Sequence, residues 1–135
     1  MEVSNYERGA GVDRRDRRSR LFIINIAPRP ASRPRCTRRG TVYTDPTYKT
    51  WLETFSALIQ DDWYREPLQR IEHISILING PSRRGDLDNH VKSVLDGLVR
   101  AGVLRNDNLK VLDSIHASFS DSKHTDPCIM VQIFD

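Results

Sequence analysis

Asp86 and Asp88 stand two residues apart in Gly85-Asp86-Leu87-Asp88-Asn89-His90-Val91-Lys92, and a carboxylate pair beside a lysine is the raw material of a divalent-metal site. Leu87, Val91, Val94, Leu95, Leu98 and Val99 recur at helical spacing, which predicts a helix over 87–100 with one buried stripe. Two helical steps turn a side chain by about 200°, so the two carboxylates converge only if Asp86 precedes the first turn. The pair therefore belongs at a helix N-terminus, where unpaired N–H groups and the positive end of the dipole favour ionised carboxylates. Lys92, four residues after Asp88, comes one turn up on the same side. A third carboxylate, Asp107, follows in Arg105-Asn106-Asp107-Asn108, just past the Gly102 that ends the helix.

Two carboxylates about 4 Å apart repel by roughly 4 kcal/mol at an effective dielectric of about 20, so a converged set persists as anions only around a cation. Asp86, Asp88 and Asp107 are accordingly candidate metal ligands, direct or through water. Mg²⁺, with Mn²⁺ as a substitute, suits an all-oxygen set that leaves several waters in place. Each residue also has an ordinary use: Asp at a helix start as a cap, Asn-Asp-Asn as a turn, Lys92 in a structural ion pair with Asp88 or Asp96. Asn89 is placed to buttress a ligand from behind. Asp96 is expected to pair with Lys92 or Arg100 and not to bind metal.

The elements that position these groups follow from the surrounding pattern. Leu21 to Ala27 reads as a first strand, ended by Pro28, Pro30 and Pro34. The extended segment beyond it carries Arg33, Arg35, Arg38 and Arg39 and turns back as a short hairpin arm through Gly40-Thr41-Val42-Tyr43. Arg presents a planar fork to phosphate oxygens, so these four are candidate phosphate contacts. Asp45 caps and Pro46 opens a helix running to about Trp63, with Tyr48, Trp51, Leu52, Phe55, Leu58 and Ile59 as its buried stripe; its aromatics are read as core, not as base-stacking groups. Ile71 to Ile78 alternates as a strand. The loop Gly80-Pro81-Ser82-Arg83-Arg84-Gly85 then delivers the chain to the carboxylates, with Arg83 and Arg84 flanking them as further candidates for holding a phosphate backbone. Leu109 to Phe119 and Cys128 to Phe134 read as two strands, joined as a hairpin across Ser120 to Pro127. His116 and His124 have no metal-ligand spacing and are read as structural or surface residues.

This order of elements predicts an α+β fold: one two-layer domain over 21–135, with two helices packed on one face of a four-stranded mixed sheet. Residues 1–20 are polar and Arg-rich without apolar period, the pattern of a disordered arm. Two cysteines, Cys36 and Cys128, supply neither a disulfide framework nor zinc spacing. The longest apolar run is too short for a membrane span or a signal peptide, so the cytoplasm is the expected compartment. The net charge of +3 hides an asymmetry: residues 1–40 hold eleven Arg against four acids, a net of +7, while 41–135 carry a net of −4. The basic end is the one expected to meet phosphate.

The string Asp86-Leu87-Asp88-Asn89, then Lys92, Leu95-Asp96-Gly97-Leu98, Gly102-Val103-Leu104 and Asp107 resembles the RusA family of Holliday-junction resolvases, common in phages and prophages. Pro30-Ala31-Ser32-Arg33-Pro34-Arg35 and Gly40-Thr41-Val42-Tyr43 are similar to the Arg-Pro-Arg segment and following Tyr of many phage members. The resemblance spans roughly 21–134. It departs at Asn106, where the family often has a second Asp, and leaves Asp107 in register. It implies the same two-layer fold and a homodimer. It also implies a metal-dependent endonuclease that resolves four-way DNA junctions by paired symmetric nicks, using Asp86, Asp88, Lys92 and Asp107 and no organic cofactor. A nuclease acting more broadly on branched or flap DNA, and a junction-binding protein without catalysis, are the alternative readings. Concentrated negative charge at a phosphate-binding face argues against the last.

Overall fold

The computed structural model of this protein describes residues 19–63 and 66–134. Its strands are β1 (Ser19–Ile24), β2 (Arg35–Cys36), β3 (Val42–Tyr43), β4 (Ile71–Asn79), β5 (Leu112–Ser120) and β6 (Cys128–Phe134), with helices α1 (Pro46–Gln60) and α2 (Leu87–Arg100) between them. Four strands form one mixed sheet in the order β1-β6-β4-β5, and β2 and β3 form a separate two-stranded arm. The expected α+β architecture is thus the observed one. Of the arm expected over residues 1–20, residues 1–18 lie outside the described residues, while Ser19 and Arg20 already belong to β1.

Alternation sorts the sheet into two faces. Phe22, Ile24, Ile74, Ile76, Ile78, Ile129, Val131 and Ile133 point to one side and meet Phe55, Ile59, Val94 and Leu98 of the two helices in a single core. The helices touch each other through Gly97, where an added Cβ would fall 2.3 Å from Cδ1 of Phe55. Hydrogen there lets the two axes approach, so α2 is held close enough to α1 for side chains of both to meet at the site.

The expected hairpin between the last two strands does not form. β5 runs parallel to β4, pairing from Ile71↔Leu112 to Asn79↔Ser120, and β6 runs antiparallel along the other side of β4, from His73↔Phe134 to Asn79↔Cys128. A parallel pair needs a crossover, and α2 supplies it. The loop after β5 must then pass over the end of β4 to reach the far side. The buried Asn79 amide holds that crossing by donating to the carbonyls of Thr125 (3.4 Å) and Asp126 (3.1 Å). β4 is thereby paired along both of its edges.

Local signals placed other boundaries well. Asp45 accepts from Thr47 N and Pro46 opens α1, and Gly102, at φ +80°, takes the left-handed position that closes α2. β1 ends at Ile24 instead of Ala27, and α1 ends at Gln60. Two stripe assignments need correction: Leu58 is 41% and Leu87 44% exposed. The helices lie on one sheet face only, so the buried sector of α1 is centred on Leu52, Phe55 and Ile59 and that of α2 on Val94, Gly97 and Leu98, leaving those two leucines at the margins.

Candidate active site

The start of α2 brings the carboxylates to the surface. Asp86 is the N-cap with extended backbone (φ −96°, ψ 146°), yet its side chain makes no capping bond; the ordinary reading of that residue is not the one the molecule uses. Its carbonyl accepts the first helical bond, from His90 N. Asp88 lies in the first turn and accepts from Asn89 N (2.9 Å). Both carboxylates are exposed at the start of the helix.

One turn up, Lys92 joins two further carboxylates. Its Nζ donates to Asp107 Oδ2 at 2.7 Å and lies 3.0 Å from Asp96 Oδ1. Asp107 raises the Lys92 ammonium above its ordinary range by accepting this bond, and Asp96 acts in the same sense against partial burial. Lys92 is thus held between two carboxylates. The other oxygen of Asp96 accepts from the Tyr48 hydroxyl at 2.8 Å, while Arg100 faces Glu53 instead (3.7 Å).

Asp107 is delivered by a rebuilt exit from α2. Leu68 N donates to Val103 O and Arg105 N to Leu68 O, stitching residues 103–105 to the chain entering β4. Asn106 Oδ1 then accepts from Asp107 N (2.7 Å) and Asn108 Oδ1 from Lys110 N (3.0 Å). The two asparagines build the turn and leave the Asp107 carboxylate aimed at Lys92.

Among the described residues no three His, Cys, Asp or Glu side chains are grouped to hold a metal ion; Asp86, Asp88 and Asp107 do not close into a cage of their own. The chemistry of the donor set nevertheless fits a hard divalent cation. Two carboxylates are exposed at a helix start, and the third already carries an ammonium as its counter-ion.

The basic residues fall in three places. Ala31 N donates to Asn89 O (2.9 Å), so the Asn89 main chain docks the proline segment on α2. That docking makes a groove of about 370 Å³ lined by Arg33, Tyr48, Asn89, Lys92 and Asp96 among others. Arg38 and Arg39 form the tip of the β2–β3 hairpin, exposed, and Arg35 at its base lies 3.4 Å from Asp45. On the other side of the α2 start, Arg84 lines a cleft of about 610 Å³ with Arg29 and His90. Arg83 is tied to Asp121 (3.0 Å) and lies over Phe119. Arg29, Tyr48 and His90 were not among the sequence candidates. Arg29 pairs with Asp45 and lies over the Tyr48 ring, and its place between Pro28 and Pro30 was the available signal. His90 is buried and its Nε2 is 2.9 Å from Arg84 O, which anchors the loop that carries Asp86; nothing in its spacing marks it.

The family model for endodeoxyribonuclease RusA matches residues 25–133, and the chain belongs to that family. Its class is thereby that of the junction-resolving endodeoxyribonucleases, hydrolases that cut phosphodiester bonds within DNA. No curated protein matches the chain.

Proposed function

We propose that this protein is a divalent-metal-dependent resolvase that cuts four-way DNA junctions by paired, symmetric nicks. The observation that carries the reading is the Lys92 ammonium held between Asp96 and Asp107, one turn above the exposed Asp86 and Asp88. Asp86, Asp88 and Asp107 would hold Mg²⁺ or Mn²⁺, which when bound supplies a water of lowered pKa and polarises the phosphoryl oxygen. Lys92, kept protonated, offers its remaining donors to the charge that builds on the phosphate oxygens. Arg33 in the neighbouring groove orients the scissile strand, with Arg84 beyond the start of α2. Arg38 and Arg39 reach flanking phosphates from the arm.

Paired nicking needs two copies of this site related by a two-fold axis, and the face of the sheet that no described helix covers supports a homodimer. Leu21, Ile23, Ser75, Leu77, His116, Ser118, Met130, Gln132 and Phe134 face away from the helices. Among the described residues this surface carries no Asp, Glu, Lys or Arg in a chain that is 29% charged, and depletion of charge marks the centre of interfaces. A second copy of the chain is the occupant proposed, and sedimentation of Ile23→Lys as a monomer would bear this out.

Purified protein incubated with four-way, flap and linear duplex DNA, with and without Mg²⁺, tests the activity. Symmetric cutting of the four-way junction alone, only with Mg²⁺, is expected. Equal cutting of flaps would favour the broader branched-DNA nuclease, and tight junction binding without cutting under any divalent ion would favour the non-catalytic binder.

A further inference from the structure

Tyr48 looks at first like one more member of the buried stripe of α1. The residue is 3% exposed and its ring lies nearly parallel to that of Trp51, with 13° between planes. Its hydroxyl does something the stripe does not require: it crosses to α2 and donates to Asp96 Oδ2 at 2.8 Å. Asp96 Oδ1 faces Lys92 Nζ at 3.0 Å, and Nζ continues to Asp107 Oδ2 at 2.7 Å. The series Tyr48, Asp96, Lys92, Asp107 is therefore unbroken from the core to the acidic turn.

We propose that Tyr48 is a positioning residue for Lys92, acting through Asp96, and the proposal rests on the nuclease reading above. Lys92 has a flexible four-carbon stem and a side chain that is 53% exposed; on such a surface an ion pair between residues four apart holds geometry poorly. A phenol has two side-chain torsions, and this one is packed. The start of α1 is pinned by the Asp45 cap and by Arg29, which pairs with Asp45 and lies over the Tyr48 ring. A rigid donor that engages one Asp96 oxygen fixes the direction of the other, and with it the place where the ammonium rests. Were Asp107 to hold a cation, Asp96 would be the partner left to keep the ammonium in place. Burial, then the bond to Asp96, push the phenol far above its ordinary range, so the hydroxyl stays a donor throughout.

The test compares Tyr48→Phe, which removes the hydroxyl and keeps the ring, with Ile59→Val, which loosens the far end of the same helix stripe. Two readouts are taken on the full chain. The first, independent of activity, is the ¹⁵N-detected ammonium signal of Lys92, visible only when the group is held and exchanges slowly; Lys49, Lys110 and Lys123 serve as internal references. It is expected in the wild type and in Ile59→Val and absent in Tyr48→Phe. The second is junction cleavage. In Tyr48→Phe turnover should fall about tenfold or more, the loss of one hydrogen bond to a charged group, with junction affinity unchanged. Asp96→Asn should fall as far, and adding Tyr48→Phe to it should cost nothing more. A Lys92 signal that persists in Tyr48→Phe, an unchanged turnover, or additive losses would each overturn the proposal. A wild-type chain that cuts no junction would instead overturn the nuclease reading, and the ammonium signal would still decide whether Tyr48 holds Lys92.

Discussion

Gly97 and Phe55 meet where no side chain fits between them: a Cβ on Gly97 would lie 2.3, 2.6 and 2.9 Å from three carbons of the Phe55 ring. Alanine at a helix interior normally gains up to about 1 kcal/mol over glycine. Here the overlap outweighs that gain, because Phe55 is fully buried and has nowhere to withdraw. Gly97→Ala should therefore destabilise the fold by roughly 1–3 kcal/mol, read as a lower urea midpoint, and Gly97→Ala with Phe55→Leu should recover most of it. A Gly97→Ala variant as stable as the wild type would show that the helices separate freely.

Neutralising single carboxylates should separate chemistry from binding. Asp86→Asn, Asp88→Asn and Asp107→Asn are each expected to abolish Mg²⁺-dependent cutting while four-way junction affinity stays level or rises, since a negative charge near phosphate is removed. Gel-shift titration beside a nicking assay reads both. Substantial cutting by any one of them removes that residue from the site.

Asp45 should make stability fall in acid. Its bond from Thr47 N, before other causes, lowers the carboxyl below its ordinary 3.8. A group depressed in the folded state contributes stability that is fully present above 3.8 and is lost as pH falls through the lower folded value. Asp45→Ala should melt below the wild type at pH 7, and the gap should narrow as the pH drops below 3.8. A gap constant across that range would mean that the carboxylate's charge is irrelevant to the cap.

Arg38 and Arg39 at the hairpin tip should govern affinity and not turnover. Every DNA phosphate that the protein ceases to neutralise lowers the slope of log affinity against log salt by about 0.9, so Arg38→Ala with Arg39→Ala should flatten the slope by roughly 1.8. Cutting at saturating protein should be retained. Deleting residues 1–18 applies the same measurement to the Arg-rich segment ahead of β1, and an unchanged slope there would assign the basic footprint to the hairpin.

Much of the site was legible because its determinants are local. An apolar period over 87–100, Asp86 one residue ahead of it and Gly102 just beyond it fix where α2 starts and stops within a few residues of chain. The same holds for Asp45 and Pro46 at α1, and for the turn that presents Asp107. The partners of Lys92 were half legible: Asp96 is four residues on along one helix, whereas the contact with Asp107 needs Val103 and Arg105 at the exit of α2 to be stitched to Leu68, far earlier in the chain.

The rest depended on which elements meet. Alternation marks Leu112–Ser120 and Cys128–Phe134 as strands equally well for any pairing, so only the tertiary assembly, in which β4 pairs along both edges and Asn79 holds the crossing loop, decides that β5 and β6 flank β4. A periodic stripe does not say where its margin lies, so the exposure of Leu58 and Leu87 follows from having helices on one sheet face. Tyr48 shows the division most sharply. Its sequence position determines that the ring is buried, because that is a matter of helical period. Only the packing of α1 on α2, set by the missing side chain at Gly97, brings its hydroxyl to Asp96, because a hydrogen bond between residues 48 apart in the chain is a product of tertiary distance, which no local pattern encodes.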